Sequence, residues 1–270
     1  MNTIVKNIVE AFDFNNVSRT SINKDTAKTA INALKKQRIK EAVKFIRKGK
    51  FPTDEDICEF IKNNIAVYRV EDKFELQSII YNYCYLYGMR CNLNWLDVSG
   101  ITDFYELFSN SRFNGDISEW DVSNVVNMDG TFQNSIFNQD ISKWDVSNVE
   151  SMRQMFFNSR FSQDISKWNV SKVKSMNKMF CNASFDQDIN DWDVSNVEDM
   201  TMMFKGSFFN HDLSKWDTSN VKYMDRMFEW THNFCQDISM WNVSNVIETD
   251  IVGISSISCP AEYFPKFNYY

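Results

Sequence analysis

From about Leu96 to Ile251 the apolar residues follow one pattern, written six times in full. In its clearest copy Phe137 opens the unit, and Ile141, Trp144, Val146, Val149, Met152, Met155 and Phe156 follow. The tryptophan returns at Trp120, Trp144, Trp168, Trp192 and Trp216, always 24 residues apart, and at Trp241 after one inserted residue. Leu96 holds that place in a degenerate first copy, followed by Asp97-Val98-Ser99. Self-similarity at a fixed period of this length predicts stacked units that bury their apolar faces only against one another. Within a copy, Trp144-Asp145-Val146 alternates apolar, polar, apolar, the pattern of a half-buried strand. From Ser147 the spacing changes to three and four, which predicts a short helix through Val149, Met152, Met155 and Phe156, capped by Ser147 or Asn148. Asn158 ends it, and the equivalent places hold Asn110, Asn134, Asn182 and Gly206, residues that tolerate the left-handed conformation.

The pattern before the repeat is helical. Ile31, Leu34, Ala42, Val43 and Ile46 mark one helix over 25–48, stopped by Gly49 and Pro52. Thr53 is suited to cap a second helix that begins with Asp54, Glu55 and Asp56, where the helix dipole favours negative charge. A third is predicted over about 71–87, through Phe74, Leu76, Ile79, Ile80, Tyr83 and Leu86, ending at Gly88. The chain thus reads as a helical leader or cap (1–90), the array of about seven units (91–253) and a C-terminal tail or cap (254–270). An open array end exposes apolar side chains, which is the reason to expect caps.

The line F-N-Q-D-I-S-x-W-D-V-S-N-V-x-x-M-x-x-M-F resembles the repeat of the BspA-like leucine-rich repeat proteins, a Mycoplasma-type surface lipoprotein repeat also found in gut bacteria and their phages. The resemblance covers about 155 residues. It implies an α/β solenoid, a leucine-rich-repeat-like array of 24-residue units, each a short parallel strand plus a short helix, with an N-terminal helical cap. For many members it also implies adhesion or host-surface binding. The residues at the N-terminus, Met1-Asn2-Thr3-Ile4-Val5-Lys6, show neither the apolar core of a signal peptide nor a lipid-anchor cysteine. A cytoplasmic or virion-associated protein is therefore the default expectation, against the surface location of many family members. No apolar run is long enough to span a bilayer.

Charge adds an asymmetry that the overall −7 conceals. The leader holds 16 Lys+Arg against 11 Asp+Glu, and the array 12 against 24. Lys35, Lys36, Arg38, Lys40, Lys44 and Arg47 make a basic patch that would suit nucleic acid, but no nucleic-acid motif accompanies them, so a solvated helix face is expected. The cysteines, Cys58, Cys84, Cys91, Cys181, Cys235 and Cys259, form no CxxC pair and as a set do not follow the 24-residue period, so free thiols are expected.

Two acidic ladders stand out. Asp116, Asp140, Asp164, Asp188, Asp212 and Asp237 precede the inward Ile or Leu; Asp121, Asp145, Asn169, Asp193, Asp217 and Asn242 follow the tryptophans. Calcium between coils is one reading of the first row. Calcium-binding rolls are glycine-rich, however, whereas this chain has seven glycines, so Asx-type bonds to backbone N–H groups are favoured. Asp121, Lys143, Asp145, Lys167, Asn169, Asp193, Lys215 and Asp217 form the candidate binding face, uniform enough for a repetitive ligand. The copies differ more at pairs such as Glu150-Ser151, Lys174-Ser175 and Lys222-Tyr223, a surface better suited to a specific protein. The tryptophans and methionines are expected in the core. Neither His211 nor His232 lies in a catalytic or metal motif, so no enzyme activity, metal or cofactor is expected. The expected function is a non-enzymatic protein-interaction scaffold with an unidentified protein partner; an adhesin-like binder of host protein, glycan or matrix is the alternative, and nucleic-acid binding through the leader a second one.

Overall fold

The structure, a computed structural model, describes residues 68–231, 233–247 and 259–266. The leader helices expected over 25–48 and from Thr53 lie outside the described residues. The chain divides into two compact units, Met1–Val98 and Ser99–Tyr270.

In the first unit, β1 (Tyr68–Arg69) pairs in parallel with β2 (Leu96–Asp97), and α1 (Lys73–Tyr87) connects them. The limits of α1 follow from its caps. The Asp72 carboxylate accepts the N–H of Glu75 at 2.8 Å, and Gly88, at φ 87°, donates its N–H to the Cys84 carbonyl. Leu76, Ile79 and Ile80 are buried as their spacing requires, together with Val70, Leu93 and Leu96. Phe74, expected on the apolar stripe, is instead exposed; it sits in the first turn, beside the N-cap.

The second unit consists of the copies, each laid against the next. Parallel bridges join Asp103 to Asn127, Asn127 to Ser151, Ser151 to Ser175, Ser175 to Asp199 and Asp199 to Tyr223, one repeat at a time. The residues that alternate as a strand, Trp144-Asp145-Val146, are buried, exposed and buried, but they form no strand. Their neighbourhood is built from turns: Trp144 donates its N–H to the Ile141 carbonyl and Val149 to that of Val146. The expected helix is also absent. From Met152 the backbone N–H groups alternate in their use. Met152, Gln154, Phe156 and Asn158 donate to Ser175, Asn177, Met179 and Cys181 of the next copy, at 2.8–3.0 Å. Met155, Phe157 and Ser159 donate three residues back, to Met152, Gln154 and Phe156. Consecutive tight turns of this kind place buried side chains at the same three-and-four spacing as a helix, which accounts for the misreading. A helix satisfies its N–H groups internally; here half of them bind the copies together. We refer to this stretch of each copy as its rung.

The core is a set of aromatic files. Phe108, Phe132, Phe156, Phe180, Phe204 and Phe228 stack in register with neighbouring ring centroids 5.4–5.8 Å apart. A second file, Phe113, Phe137, Phe161, Phe185, Phe209 and Phe234, runs beside it and contacts it within each copy. Every repeat tryptophan is buried, as expected. Its indole is a polar device as well: Trp144, Trp168, Trp192 and Trp216 donate Nε1–H to the carbonyls of Ile117, Ile141, Ile165 and Ile189 in the preceding copy. The last copy is tied to the tail. Cys235 and Cys259 form a disulfide, Ile238 donates its N–H to the Tyr263 carbonyl at 2.8 Å, and Phe264 is buried beyond a 3₁₀ turn at Ala261–Tyr263. The expectation that the cysteines are free thiols therefore fails for this pair.

Trp168→Ala removes the ring and one of the two donors to the Ile141 carbonyl, which keeps the Trp144 N–H, so it is expected to cost about 3–5 kcal/mol in denaturant unfolding, chiefly through the cavity. Trp168→Phe keeps most of the packing and loses the indole bond, at about 0.5–1.5 kcal/mol. Equal costs for the two would show that the indole hydrogen bond alone carries the tryptophan's contribution.

Candidate functional site

The candidate binding face is exposed at every position read from the sequence: Asp121, Lys143, Asp145, Lys167, Asn169, Asp193, Lys215 and Asp217. Its polar groups are heavily used within the array. The carboxylates of Asp121, Asp145, Asp193 and Asp217, and the Asn169 amide oxygen, each accept the N–H of the serine two residues on, at 2.9–3.1 Å. Among the lysines, Lys143 reaches Glu119 at 3.3 Å and Lys215 reaches Asp191 at 2.7 Å. A neighbouring row repeats the theme, with Lys174 on Glu150 and Lys222 on Glu198, both at 2.7 Å. Such exposed pairs contribute little stability each, but they leave this side with much of its charge neutralised from copy to copy.

The other acidic ladder has the same local role. Asp116, Asp140, Asp164, Asp188, Asp212 and Asp237 all accept the N–H two residues ahead, at 2.8–3.0 Å. The Asx-turn reading thus describes both rows. Among the described residues, no three His, Cys, Asp or Glu side chains gather as a metal site. His211 Nε2 lies 3.1 Å from the Asp186 carboxylate on the surface. The basic patch of Lys35, Lys36, Arg38, Lys40, Lys44 and Arg47, and also His232, lie outside the described residues.

A different surface emerges on the rungs. The expected left-handed residues Asn110, Asn134, Asn158, Asn182 and Gly206 all have positive φ, 51–67°. The first three carry a side-chain ladder, Asn134 donating to Asn110 and Asn158 to Asn134 at 3.1 and 2.9 Å. Four residues earlier runs a second left-handed column that the sequence reading missed: Glu106, Gly130, Gln154, Lys178, Met202 and Arg226, with φ 52–62°. Only glycine adopts this conformation without steric cost; for other residues it costs roughly 1–2 kcal/mol. Gly130 is the natural demonstration that glycine fits the column, yet the other copies hold long side chains there. Beside them stand Tyr105, Asp129, Arg153, Asn177, Thr201 and Asp225, then Gln133, Phe157, Lys205 and Glu229. Trp230 is exposed at the end of its rung, with the Lys205 ammonium 4.5 Å from its ring centroid. The copies can differ here because backbone N–H groups make most of the bonds that join the rungs, with side chains such as the Asp129 carboxylate, which accepts from Ser151 and from the Arg153 N–H, adding to them.

The arrangement is that of a repeat protein whose repeated residues hold the array together and whose variable residues line one surface. The chain belongs to the family described as Mycoplasma protein of unknown function, DUF285, whose model matches residues 86–184 and again 157–252. No curated protein and no solved structure matches it. Among the described residues no helix is long and apolar enough to cross a membrane.

The ladders make stability pH-dependent. Bonds from the Ser142, Ser166 and Ser214 backbone N–H groups are the main cause holding Asp140, Asp164 and Asp212 below the ordinary carboxylate range. For Asp145, Asp217 and Asp237 the serine hydroxyl contributes most and the N–H next. Because the folded pKa is the lower one, the unfolded chain takes up protons first on acidification. The stabilisation is then complete above the unfolded value near ~4 and is lost as pH falls through the folded values. Melting temperatures are expected to be level above that range and to fall below it. Replacing Asp140, Asp164 and Asp212 by Asn, the residue that makes the same bond in the other ladder at Asn169, keeps the acceptor and should flatten the fall; an unaltered profile would locate the pH dependence elsewhere.

Proposed function

We propose that this chain is a non-enzymatic protein-interaction scaffold, a leucine-rich-repeat-like solenoid of the BspA type, and that its partner is read by the rung surface. This differs from the uniform face selected from sequence. The observation that carries the reading is the column of non-glycine residues at positive φ: Glu106, Gln154, Lys178, Met202 and Arg226. Packing does not require these side chains, since Gly130 occupies the same column, so their backbone cost favours a role outside folding. Their charges also have an order. Glu106 and Asp129 lie in the earlier copies, Arg153, Lys178 and Lys205 in the middle ones, and Asp225, Arg226 and Glu229 in the last. Lys205 pairs with Glu229. A partner with acidic groups opposite Arg153 and Lys178 would be held in one register, and wrong partners rejected by like charge.

A second reading, an adhesin-like binder of host protein or glycan, is favoured by one observation, the Cys235–Cys259 bond. Disulfides persist mainly in oxidising surroundings such as cell and virion surfaces.

The test is a pull-down from the native source with the full-length protein and two variants. The first carries Gln154→Gly, Lys178→Gly and Met202→Gly, changes that delete rung side chains at positions whose backbone suits glycine. It should melt at or above the parent's temperature, with each relieved residue adding up to ~1 kcal/mol, while retention of a discrete protein falls about tenfold or more. The second, Asp145→Asn with Asp217→Asn, should retain that protein at the parental level. Loss from the second variant alone would move the binding site to the uniform face. Retention of no protein, with glycan polymer bound instead, would favour the adhesin-like reading.

A further inference from the structure

Cys84 and Cys91 lie close together in the first unit, their sulfurs 3.6 Å apart and hydrogen-bonded to each other. Local geometry brings them there. Cys84 belongs to the last turn of α1, whose chain is reversed by Gly88 at φ 87°; Cys91 then donates its N–H to the Gly88 carbonyl at 3.2 Å. Only glycine makes that reversal easily. Both thiols are buried, at 4 % and 9 % exposure, so the contact is not a chance approach of surface side chains. A disulfide needs sulfurs about 2.05 Å apart, a closure of roughly 1.5 Å that rotation of two short side chains can supply.

We propose that Cys84 and Cys91 are a thiol–disulfide site, closing to a second intramolecular disulfide in the surroundings that maintain Cys235–Cys259. The co-reactant is a small disulfide of the glutathione class. Cys91, as thiolate, attacks one sulfur of that disulfide, forming a mixed disulfide and expelling one small thiolate. Cys84 then loses its proton and attacks the Cys91 sulfur, closing the protein bond and expelling the second. Two protein thiols are oxidised and one small disulfide is reduced to two thiols. The roles follow from access: Cys91, at 9 % exposure on the segment after Gly88, is nearer to solvent than Cys84, at 4 % within the last turn of α1. The closed bond would tie the last turn of α1 to the segment entering β2, whose Asp97 carbonyl accepts the Val70 N–H at 3.0 Å.

The experiment equilibrates full-length protein in glutathione buffers of graded oxidised-to-reduced ratio, blocks thiols in denaturant with an alkylating agent, and maps peptides by mass. The expected result is joint loss of alkylation at Cys84 and Cys91 with a Cys84–Cys91 cross-linked peptide, while Cys181, which is buried, stays fully alkylated as the internal reference. Cys84→Ser should instead trap glutathione on Cys91. Alkylation of both cysteines at every ratio, or glutathione retained on Cys91 in the parent protein, would overturn the proposal. The parent titration decides even if Cys84→Ser does not fold.

Discussion

The second unit depends on the division of backbone N–H groups along each rung. A donor that bonds within its own turn gives shape to one copy; a donor that reaches the next copy gives cohesion between two. Met152, Gln154, Phe156 and Asn158 serve the second purpose, and Met155, Phe157 and Ser159 the first. Neither set alone would make the array, since isolated turns have no core and unpaired donors in a buried setting are costly. The aromatic files follow from this geometry. Once the rungs are in register, Phe156 has no choice but to face Phe132 on one side and Phe180 on the other. Several recurring side chains supply what the backbone does not: the indole of Trp144, the carboxylates of Asp140 and Asp145, and the carboxamide of Asn148, which donates to the Ser123 carbonyl.

Much of this was legible in the chain. The period, the buried tryptophans, the Asx bonds of the first ladder and the asparagines at positive φ can all be reasoned from residue type and spacing. So can α1, whose caps at Asp72 and Gly88 have ordinary chemistry. The local backbone was not legible, because successive tight turns and a helix share a spacing of three and four, and alternation of burial does not require a strand. The left-handed column at Gln154 and Lys178 gave no signal, since neither residue type is a left-handed former; only Gly130 hinted at it.

The cysteines teach a narrower lesson. Cys235 and Cys259 are one repeat apart, 24 residues, a spacing that was present in the sequence and passed over because Cys58, Cys84, Cys91 and Cys181 do not share it. In a repeat array, two cysteines one period apart occupy equivalent places on adjacent layers, where the distance between them is short whatever the fold of the intervening chain. The contact between Cys84 and Cys91 had no such cue, since it depends on the reversal at Gly88.

The rung bonds also have a direction. Along its rung each copy donates toward the C-terminal side and accepts from the N-terminal side, whereas the Glu150 N–H and the Trp144 indole donate the other way, and this arrangement repeats, so every interior copy presents the same two edges. A gene that duplicates or deletes one whole copy leaves both new junctions complementary, whereas a partial copy would set donors against side chains. Array length can therefore drift over evolutionary time in whole units at little cost to folding, and the number of copies becomes a heritable variable separate from the residues that any one copy displays.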